Sequence, residues 1–227
     1  MSNGLKIIIT SDGSHSLINV ELNETYHSIH GAIQESAYVF IKNGLEYFIE
    51  LHKPQQISIL EIGFGTGLNV LMTLQTSLQT NIPFHYTTLE AYPISSETAQ
   101  LLNYARALNF DNASHYFARL HDELWEQEQA IEKDFFLKKL KSKIQEVFFS
   151  PSSFDLIYFD AFAPSKQPDM WEMNVLQKIE AAMKPEAVFV TYCAKGQLKR
   201  DLKSLGLNVE TLPGPPGKKE MVRATKK

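Results

Sequence analysis

The chain has 227 residues, a formal net charge of −4 and a single cysteine, Cys193. This length fits one domain with a small appendage and can bury a core without disulfides. One cysteine excludes an internal disulfide, and the histidines show no metal-ligand spacing, so we expect no metal. No run of about 18 apolar residues occurs, and no basic segment leads into a long apolar run at the start. We therefore predict a cytoplasmic protein that is not bound to a membrane.

Residues 1–53 are predicted to form a small lead-in unit. Short β-rich runs at 6–10 and 16–20 flank a Ser-Asp-Gly-Ser turn, which favours a β-hairpin. Helical spacing follows at 32–41, and Asn43-Gly44 is a predicted helix end.

From residue 54 to residue 227 we predict the main domain, in which strands and helices alternate. The predicted strands cover 57–62, 84–90, 135–140, 154–160, 187–192, 207–211 and 221–224, and the last two flank a Pro/Gly-rich loop that is typical of a terminal hairpin. The predicted helices cover 68–78, 95–108, 174–183 and 197–205, with helical pieces near Trp125 and Ile144. This alternation predicts a Rossmann-like α/β fold, whose ligands lie at the carboxyl ends of the parallel strands.

A glycine-rich loop, Gly63-Phe64-Gly65-Thr66-Gly67, follows the first strong strand and opens a helix. Alternating glycines allow a sharp turn and a close approach of a ligand to the backbone, and the helix start offers free N–H groups. A dinucleotide fingerprint would need Gly or Ala where Leu68 or Val70 stands, and no Gly-Lys-Ser/Thr of a P-loop follows. The spacing E-x-G-x-G-x-G is similar to the nucleoside-binding loop of class I methyltransferases, which hold S-adenosylmethionine.

An acid, Glu90, ends the second strand of the main domain, where a carboxylate can accept hydrogen bonds from both ribose hydroxyls of a nucleoside. Together with the glycine loop it defines a candidate cofactor site. Its expected residues are Glu61, Gly63, Phe64, Gly65, Thr66, Gly67, Asn69, Glu90 and Asp160.

The segment from Phe159 to Trp171 is the most distinctive part of the sequence. Asp160 ends a buried strand, Phe162 and Trp171 supply flat faces, and Pro164 and Pro168 stiffen the loop. Stacking surfaces beside an acid suit an amine attached to a flat base. The alternative is that both aromatic residues belong to the core and that Asp160 caps the following turn.

These segments together resemble the tRNA 5-(aminomethyl)uridine methyltransferase family, which includes the methyltransferase half of the bifunctional MnmC enzyme and free-standing relatives. The matching pieces are the glycine loop through Asn69, Leu89-Glu90-Ala91-Tyr92-Pro93, Asp160-Ala161-Phe162-Ala163-Pro164 with Lys166, Pro168, Met170 and Trp171, and Gly217-Lys218-Lys219-Glu220-Met221. They cover most of the chain from residue 57 onward. The resemblance implies a Rossmann-like class I fold with S-adenosylmethionine as the cofactor.

The resemblance also implies a reaction. The expected step is N-methylation of 5-aminomethyl-(2-thio)uridine at the tRNA wobble position, downstream of a separate flavin oxidase or aminomethyl-forming enzyme, since the chain leaves no room for an oxidase half. Asp160 is the expected catalytic residue, accepting an N–H bond from the amine. Expected substrate-binding residues are Phe162, Pro164, Lys166, Met170, Trp171, Lys218 and Lys219. Lys218, Lys219 and Arg223 are candidates for phosphate contact in the anticodon region.

One departure and several alternatives stay open. Methyltransferases often place an acid after the third strand, where this chain reads Lys141-Ser142-Lys143. A methyltransferase for a small amine, an aminopropyltransferase and a non-catalytic nucleoside-binding protein would share much of the pattern. The aminopropyltransferase is disfavoured because no acid-rich pocket segment is found, and an NAD-dependent dehydrogenase is disfavoured by Leu68 and Val70.

Overall fold

The computed structural model describes residues 4–227. Its centre is an eight-stranded sheet in the order β10-β11-β9-β8-β4-β5-β7-β6. The five strands from β9 to β7 are parallel, and β11 and β6 add antiparallel pairings at the two sides. The strands are β4 (Ile57–Ile62), β5 (Phe84–Leu89), β6 (Glu128–Glu132), β7 (Phe135–Leu140), β8 (Phe154–Phe159), β9 (Met183–Thr191), β10 (Asn208–Pro213) and β11 (Glu220–Thr225). The predicted α/β fold is confirmed.

Two apolar clusters cover the two faces of this sheet. Along β4, Ile57 and Ile59 belong to one cluster, whereas Leu60 and Ile62 belong to the other. A strand that is buried on both faces needs a continuous apolar run, which explains why β4 was readable from the sequence.

Helices pack over both faces. Leu71 of α3 and Phe117 of α6 join one cluster, and Val175 of α7 and Leu198 of α8 join the other. The helices are α1 (Ala32–Ser36), a π-helix (Ala37–Glu46), α2 (Tyr47–His52), α3 (Leu68–Ser77), α4 (Ser96–Gln100), α5 (Tyr104–Leu108), α6 (Ala113–Asp122), a 3-10 helix (Pro168–Trp171), α7 (Met173–Ala182) and α8 (Gly196–Ser204). Within residues 4–227 no helix combines the length and the apolar character that crossing a membrane requires.

The lead-in unit contains the predicted hairpin, β1 (Leu5–Ile9) with β2 (His15–Asn19), and a short third strand, β3 (Glu24–Thr25). Its turn caps α1, because the Ser14 hydroxyl accepts the Ala32 N–H at 3.2 Å. Leu17 and Val39 are buried in the same cluster as the glycine-loop helix. The lead-in unit therefore packs on the main domain, and the division at residue 53 stays a prediction.

The predicted helix end at Asn43-Gly44 is wrong. The backbone stays helical through these residues. The helical segment ends at His52, and Lys53 follows it in the left-handed region. Gly44 serves close packing, because a Cβ there would lie 3.0 Å from Val190 Cγ2 on the sheet. Asn43 donates its side-chain amide to the carbonyl of Tyr38 at 2.7 Å. Tertiary packing thus overrides the local turn composition.

The region between β5 and β8 departs most from expectation. The predicted helix 95–108 is split into α4 and α5, and Asn103 in the gap accepts the His15 N–H of the hairpin at 2.8 Å. A helix near Trp125 is present as α6, which ends at Asp122, but Trp125 itself forms a β-bridge with Lys139. The helical piece expected near Ile144 is wrong, since Ile144 is a buried residue in a loop. Strand β6 was not predicted, whereas β7 lies where it was predicted.

A cleft at the carboxyl ends of the strands

A cleft of about 1120 Å³ opens at the carboxyl ends of β4, β5, β7 and β8. Pockets for one small ligand usually enclose about 300–1,000 Å³, so this cleft has space for a nucleoside cofactor and part of a second molecule. Its walls also include the lead-in unit and the loop between β10 and β11. The parallel strands therefore deliver their following loops to one place, as the fold requires.

The glycine loop is pressed against the loop that follows β8. Gly63 has a φ of +96°, and a Cβ on it would lie 2.5 Å from the carbonyl oxygen of Asp160. The Gly63 and Phe64 N–H groups both donate to the Leu89 carbonyl at 3.0 Å. The backbone of residues 63–65 thus forms a narrow strip on which a ligand can lie, here called the glycine ledge.

Glu90 faces the cleft beside this ledge. Its carboxylate accepts the Gly65 N–H at 3.0 Å and the Tyr92 N–H at 2.9 Å. Burial raises the pKa of Glu90, while these backbone N–H groups favour its charged form. The two bonds fix the direction of the carboxylate and leave lone pairs for a pair of ribose hydroxyls.

Asp160 lies at the base of the cleft, immediately after β8. Its Oδ2 accepts a hydrogen bond from Asn69 Nδ2 at 2.8 Å, which ties it to the start of α3. Burial raises the pKa of Asp160 to about 7, and the negative charge of Glu35 acts in the same direction. Asn69 and Lys218 oppose this shift. The cleft therefore holds a carboxyl that takes up a proton more readily than an exposed aspartate does.

Three residues of the lead-in wall were missed by the sequence analysis. Tyr26 meets Phe162 edge to face at 5.1 Å, and His27 Nε2 is hydrogen-bonded to Thr66 Oγ1 at 2.7 Å. Glu35 is buried at the cleft wall. A signal for Glu35 exists, because the buried face of α1 carries two polar residues, Glu35 and Ser36, at helical spacing from Ala32.

The structure brings most of the predicted site residues together. Those that line the cleft are Gly63, Phe64, Gly65, Thr66, Asn69, Glu90, Asp160, Phe162, Lys166, Met170 and Lys218. Those that do not line it are Glu61, Gly67, Pro164, Trp171 and Lys219.

Glu61 lies under the glycine loop and not in the cleft. It is fully buried, and its Oε2 accepts the Thr88 hydroxyl at 2.7 Å. Burial raises the pKa of Glu61 to about 8, and the charge of Asp160 adds to the rise. Its position does not support direct contact with a cofactor.

Trp171 is a core residue, which corrects the expectation that it offers a stacking face. Its ring packs on Phe159 at 4.9 Å, and its indole N–H donates to the Phe162 carbonyl at 2.8 Å. Trp171 therefore holds the loop that carries Phe162, as the alternative interpretation of these aromatic residues allowed.

Two of the three predicted phosphate contacts are engaged inside the protein. Lys218 forms an ion pair with Glu35, and its Nζ lies 3.7 Å above the Tyr192 ring. Arg223 is buried, pairs with Glu210 at 2.9 Å and covers the ring of Tyr47. These partners leave neither side chain free for a phosphate, whereas Lys219 is exposed.

The loop after β7 lies at the cleft, so the departure noted at Lys141-Ser142-Lys143 is real and does not come from a misplaced strand. Lys141 and Lys143 are exposed. The structure thus places two exposed lysine side chains at this edge of the cleft.

A parallel sheet with a glycine ledge and a directed acid at adjacent strand ends defines a nucleoside-cofactor-binding α/β protein. The model of a family described as S-adenosyl-L-methionine-dependent methyltransferase matches residues 107–227, more than half of the chain. The chain belongs to this family, and its cofactor is S-adenosylmethionine.

Similar proteins support this assignment. The chain is 28% identical over 218 residues to the tRNA 5-methylaminomethyl-2-thiouridine biosynthesis bifunctional protein MnmC of Idiomarina loihiensis, covering 90% of the chain and 36% of that protein. The protein of the same name from Pseudoalteromonas atlantica is 29% identical over 234 residues, covering 95% of the chain and 32% of that protein. The chain thus spans about a third of the length of these relatives.

Solved structures agree on the fold. The crystal structure of MNMC2 from Aquifex aeolicus matches with a TM-score of 0.78 and 25% identity, covering 99% of this chain and 70% of that one. Spermidine synthase from Thermotoga maritima matches with a TM-score of 0.53 and 14% identity, covering 100% of this chain and 71% of that one. The second match shows a shared fold alone.

Proposed function

We propose that this protein transfers the methyl group of S-adenosylmethionine to the primary amine of 5-aminomethyl-(2-thio)uridine at the wobble position of tRNA. The observation that carries the proposal is Asp160, a cleft-lining carboxyl held by Asn69 against the glycine ledge. The names of the MnmC relatives support the substrate, since they concern 5-methylaminomethyl-2-thiouridine in tRNA.

The residues at the cofactor end fit S-adenosylmethionine. Gly63 and Gly65 leave the ledge free of side chains, and Glu90 is aimed by two backbone N–H groups as a ribose ligand. S-adenosylmethionine supplies a methyl group that is already activated by its positively charged sulfur. The protein therefore has mainly to place the acceptor in line with that methyl group.

At the acceptor end, Asp160 orients the amine. A carboxylate that accepts one N–H bond aims the nitrogen lone pair toward the methyl group and stabilises the positive charge that grows on nitrogen. The same charge also raises the pKa of the amine, which favours the unreactive ammonium form. Asp160 thus acts as an orienter more than as a strong base.

The uracil ring has an aromatic place beside Asp160. Phe162 lines the cleft and is held by Tyr26 on its edge and by Trp171 behind its loop. A base that enters this cleft must leave the anticodon stack, as in other enzymes that modify single bases. Lys166 and Met170 line the acceptor side, and Lys219 is available at the surface for the anticodon backbone.

The substrate must already carry an aminomethyl group. The relatives are named as bifunctional proteins, and this chain corresponds to about a third of their length. The proposed methyl transfer therefore follows a reaction that forms the aminomethyl group, for which a flavin oxidase or another aminomethyl-forming enzyme is the proposed source.

The test is methyl transfer from labelled S-adenosylmethionine to bulk tRNA. One sample is tRNA from cells that lack this wobble methylation, and the control is tRNA that already carries it. We expect label only in the undermethylated tRNA, at the nucleoside 5-methylaminomethyl-(2-thio)uridine. No label in either sample, with cofactor binding intact, would contradict the tRNA proposal and direct the search to a small amine.

A further inference from the structure

Glu35 and Lys218 come from opposite ends of the chain and meet at the cleft wall. Glu35 is almost fully buried, and its second oxygen accepts the Ser28 N–H at 2.7 Å. Lys218 is held above the Tyr192 ring at 3.7 Å. A Cβ on the preceding residue, Gly217, would overlap the His30 ring, so the hairpin loop is docked directly on the lead-in unit. The pair is therefore fixed in place.

Two bridges connect this ion pair to Asp160. On one side, Ser36 follows Glu35 and hydrogen-bonds Asn69, which donates to Asp160 at 2.8 Å. On the other side, Tyr192 lies under Lys218 and donates its hydroxyl to the carbonyl of Ala161 at 2.8 Å. The ion pair is thus tied on one side to Asn69, the partner of the Asp160 carboxylate, and on the other side to the backbone that follows Asp160.

The charges of the pair act on Asp160 in opposite directions. Glu35 alone would place a second carboxylate near Asp160, and two close carboxyls cannot both ionise easily. Protonated Asp160 would lose the negative charge that stabilises the developing positive charge on nitrogen, and one of its oxygens would become an O–H donor. The cation of Lys218 balances Glu35 and favours the charged form of Asp160.

We propose that Glu35 and Lys218 are positioning residues for the acceptor site, in which the fixed cation offsets Glu35 and keeps Asp160 ionised toward the acceptor amine. The part that concerns the amine rests on the proposed function, whereas the ionisation of Asp160 does not. Loss of Lys218 should therefore make Asp160 harder to ionise, and loss of Glu35 should make it easier.

Other ionisable groups surround Asp160 and the ion pair. Burial raises the pKa values of Tyr86, Tyr104 and Tyr192, so these hydroxyls stay neutral near pH 7. Burial lowers the pKa of His27 to about 4, so its ring is neutral there too. Glu61 couples directly to Asp160. Glu61 is present in the wild type and in every variant of Glu35 and Lys218 below, so the differences between their Asp160 midpoints do not come from replacing Glu61.

The first measurement follows the ¹³C carboxyl resonance of Asp160 against pH, with S-adenosylhomocysteine bound and the signal assigned by its loss in Asp160→Asn. We expect Lys218→Met to raise the midpoint by about one pH unit and Glu35→Gln to lower it by about one pH unit. The double variant should lie between the two, and Lys218→Arg should lie close to the wild type. Lys219→Met, the exposed neighbour, is the matched control and should not move the midpoint.

The second measurement is the pH dependence of kcat with undermethylated tRNA. The midpoint of its acidic limb should rise in Lys218→Met and fall in Glu35→Gln. Shifts of equal sign in the two single variants, or no shift in either, would overturn the proposal, because a merely structural pair predicts no opposite displacement. If the wild type methylates no tRNA, the proposed function fails, while the carboxyl midpoints still decide the ionisation. Should Lys218→Met fail to fold, Glu35→Gln still decides the proposal, because an unchanged or raised midpoint in that variant would overturn it.

Discussion

Asp160 concentrates the chemistry of the cleft in one side chain, and its removal should separate turnover from cofactor binding. We expect Asp160→Ala to lower kcat by about 10²–10⁴-fold, because the orienting hydrogen bond acts mainly as charge develops on nitrogen. Cofactor affinity should fall by less than about tenfold, since the ledge and Glu90 remain. Methylation rates and calorimetry with S-adenosylhomocysteine measure the two effects. Asp111→Ala removes an exposed carboxylate and serves as the control. Unchanged turnover in Asp160→Ala would refute the catalytic assignment.

Glu61 should make the stability of the fold depend on pH. Burial raises its pKa from 4.5 to about 8, so between about pH 5.5 and 8 the folded protein keeps a proton that the unfolded chain has released. The free energy of unfolding therefore falls as pH rises, by up to about 1.4 kcal/mol for each pH unit. Glu61→Gln carries no titratable group there.

We expect the Glu61→Gln variant to lose less stability than the wild type over this interval, as measured by urea unfolding at several pH values. Both proteins carry Asp160→Asn as a common background for this comparison, because Asp160 has a raised pKa of about 7 and its charge acts on Glu61. Lys139 also titrates in the interval, because burial lowers its pKa to about 8, but it is present in both proteins and cancels in the difference. Glu50→Gln, on the exposed side of α2, should follow the wild type. Parallel curves for Glu61→Gln and wild type would show that Glu61 is already ionised in the fold.

At the scale of elements, the glycine loop depends on contact between two strand ends. Gly63→Ala would place a methyl group 2.5 Å from the Asp160 carbonyl, in a backbone conformation with φ of +96°. We expect loss of cofactor binding by more than about 100-fold, because the ledge and the Asp160 loop must separate.

Gly206→Ala is the matched control for this substitution, since Gly206 has a φ of +88° and nothing within 4 Å of the added Cβ. It should cost about 1–2 kcal/mol of stability through backbone strain and leave the cofactor affinity unchanged. Equal cofactor affinity in both alanine variants, measured by calorimetry, would mean that the two loops move apart without cost.

The elements that the sequence predicts well are those whose signal is local. Strands β4 and β8 are continuous apolar runs, and their ends place Gly63 and Asp160 at the ligand edge without further information. Gly44 and Asn103 mislead because their local preference yields to a contact with a distant element. Glu35 and Tyr26 were missed for the same reason, since their place in the cleft depends on how the lead-in unit packs on the glycine loop.

The distribution of charge over the whole molecule matters for a polyanionic substrate. The net charge is −4, and the cations of Lys218 and Arg223 are offset by internal partners. For the proposed tRNA substrate, attraction has to come from exposed lysines near the cleft, and Lys141 and Lys143 are exposed and line it. We propose that this pair contacts phosphates of the anticodon arm.

Replacing both residues, as Lys141→Gln with Lys143→Gln, should weaken tRNA binding and reduce the slope of log affinity against log salt by about 1.5, since each phosphate contact contributes about 0.7–0.9. The matched control is Lys53→Gln with Lys133→Gln, two exposed lysines that precede β4 and β7 at the opposite edge of the sheet. Filter binding over a range of salt concentrations measures both slopes. Equal slopes for the two double variants would show that tRNA does not approach along the loop after β7. A reduced slope for the Lys141/Lys143 variant alone, with unchanged cofactor affinity, would indicate that the anticodon enters the cleft along this loop.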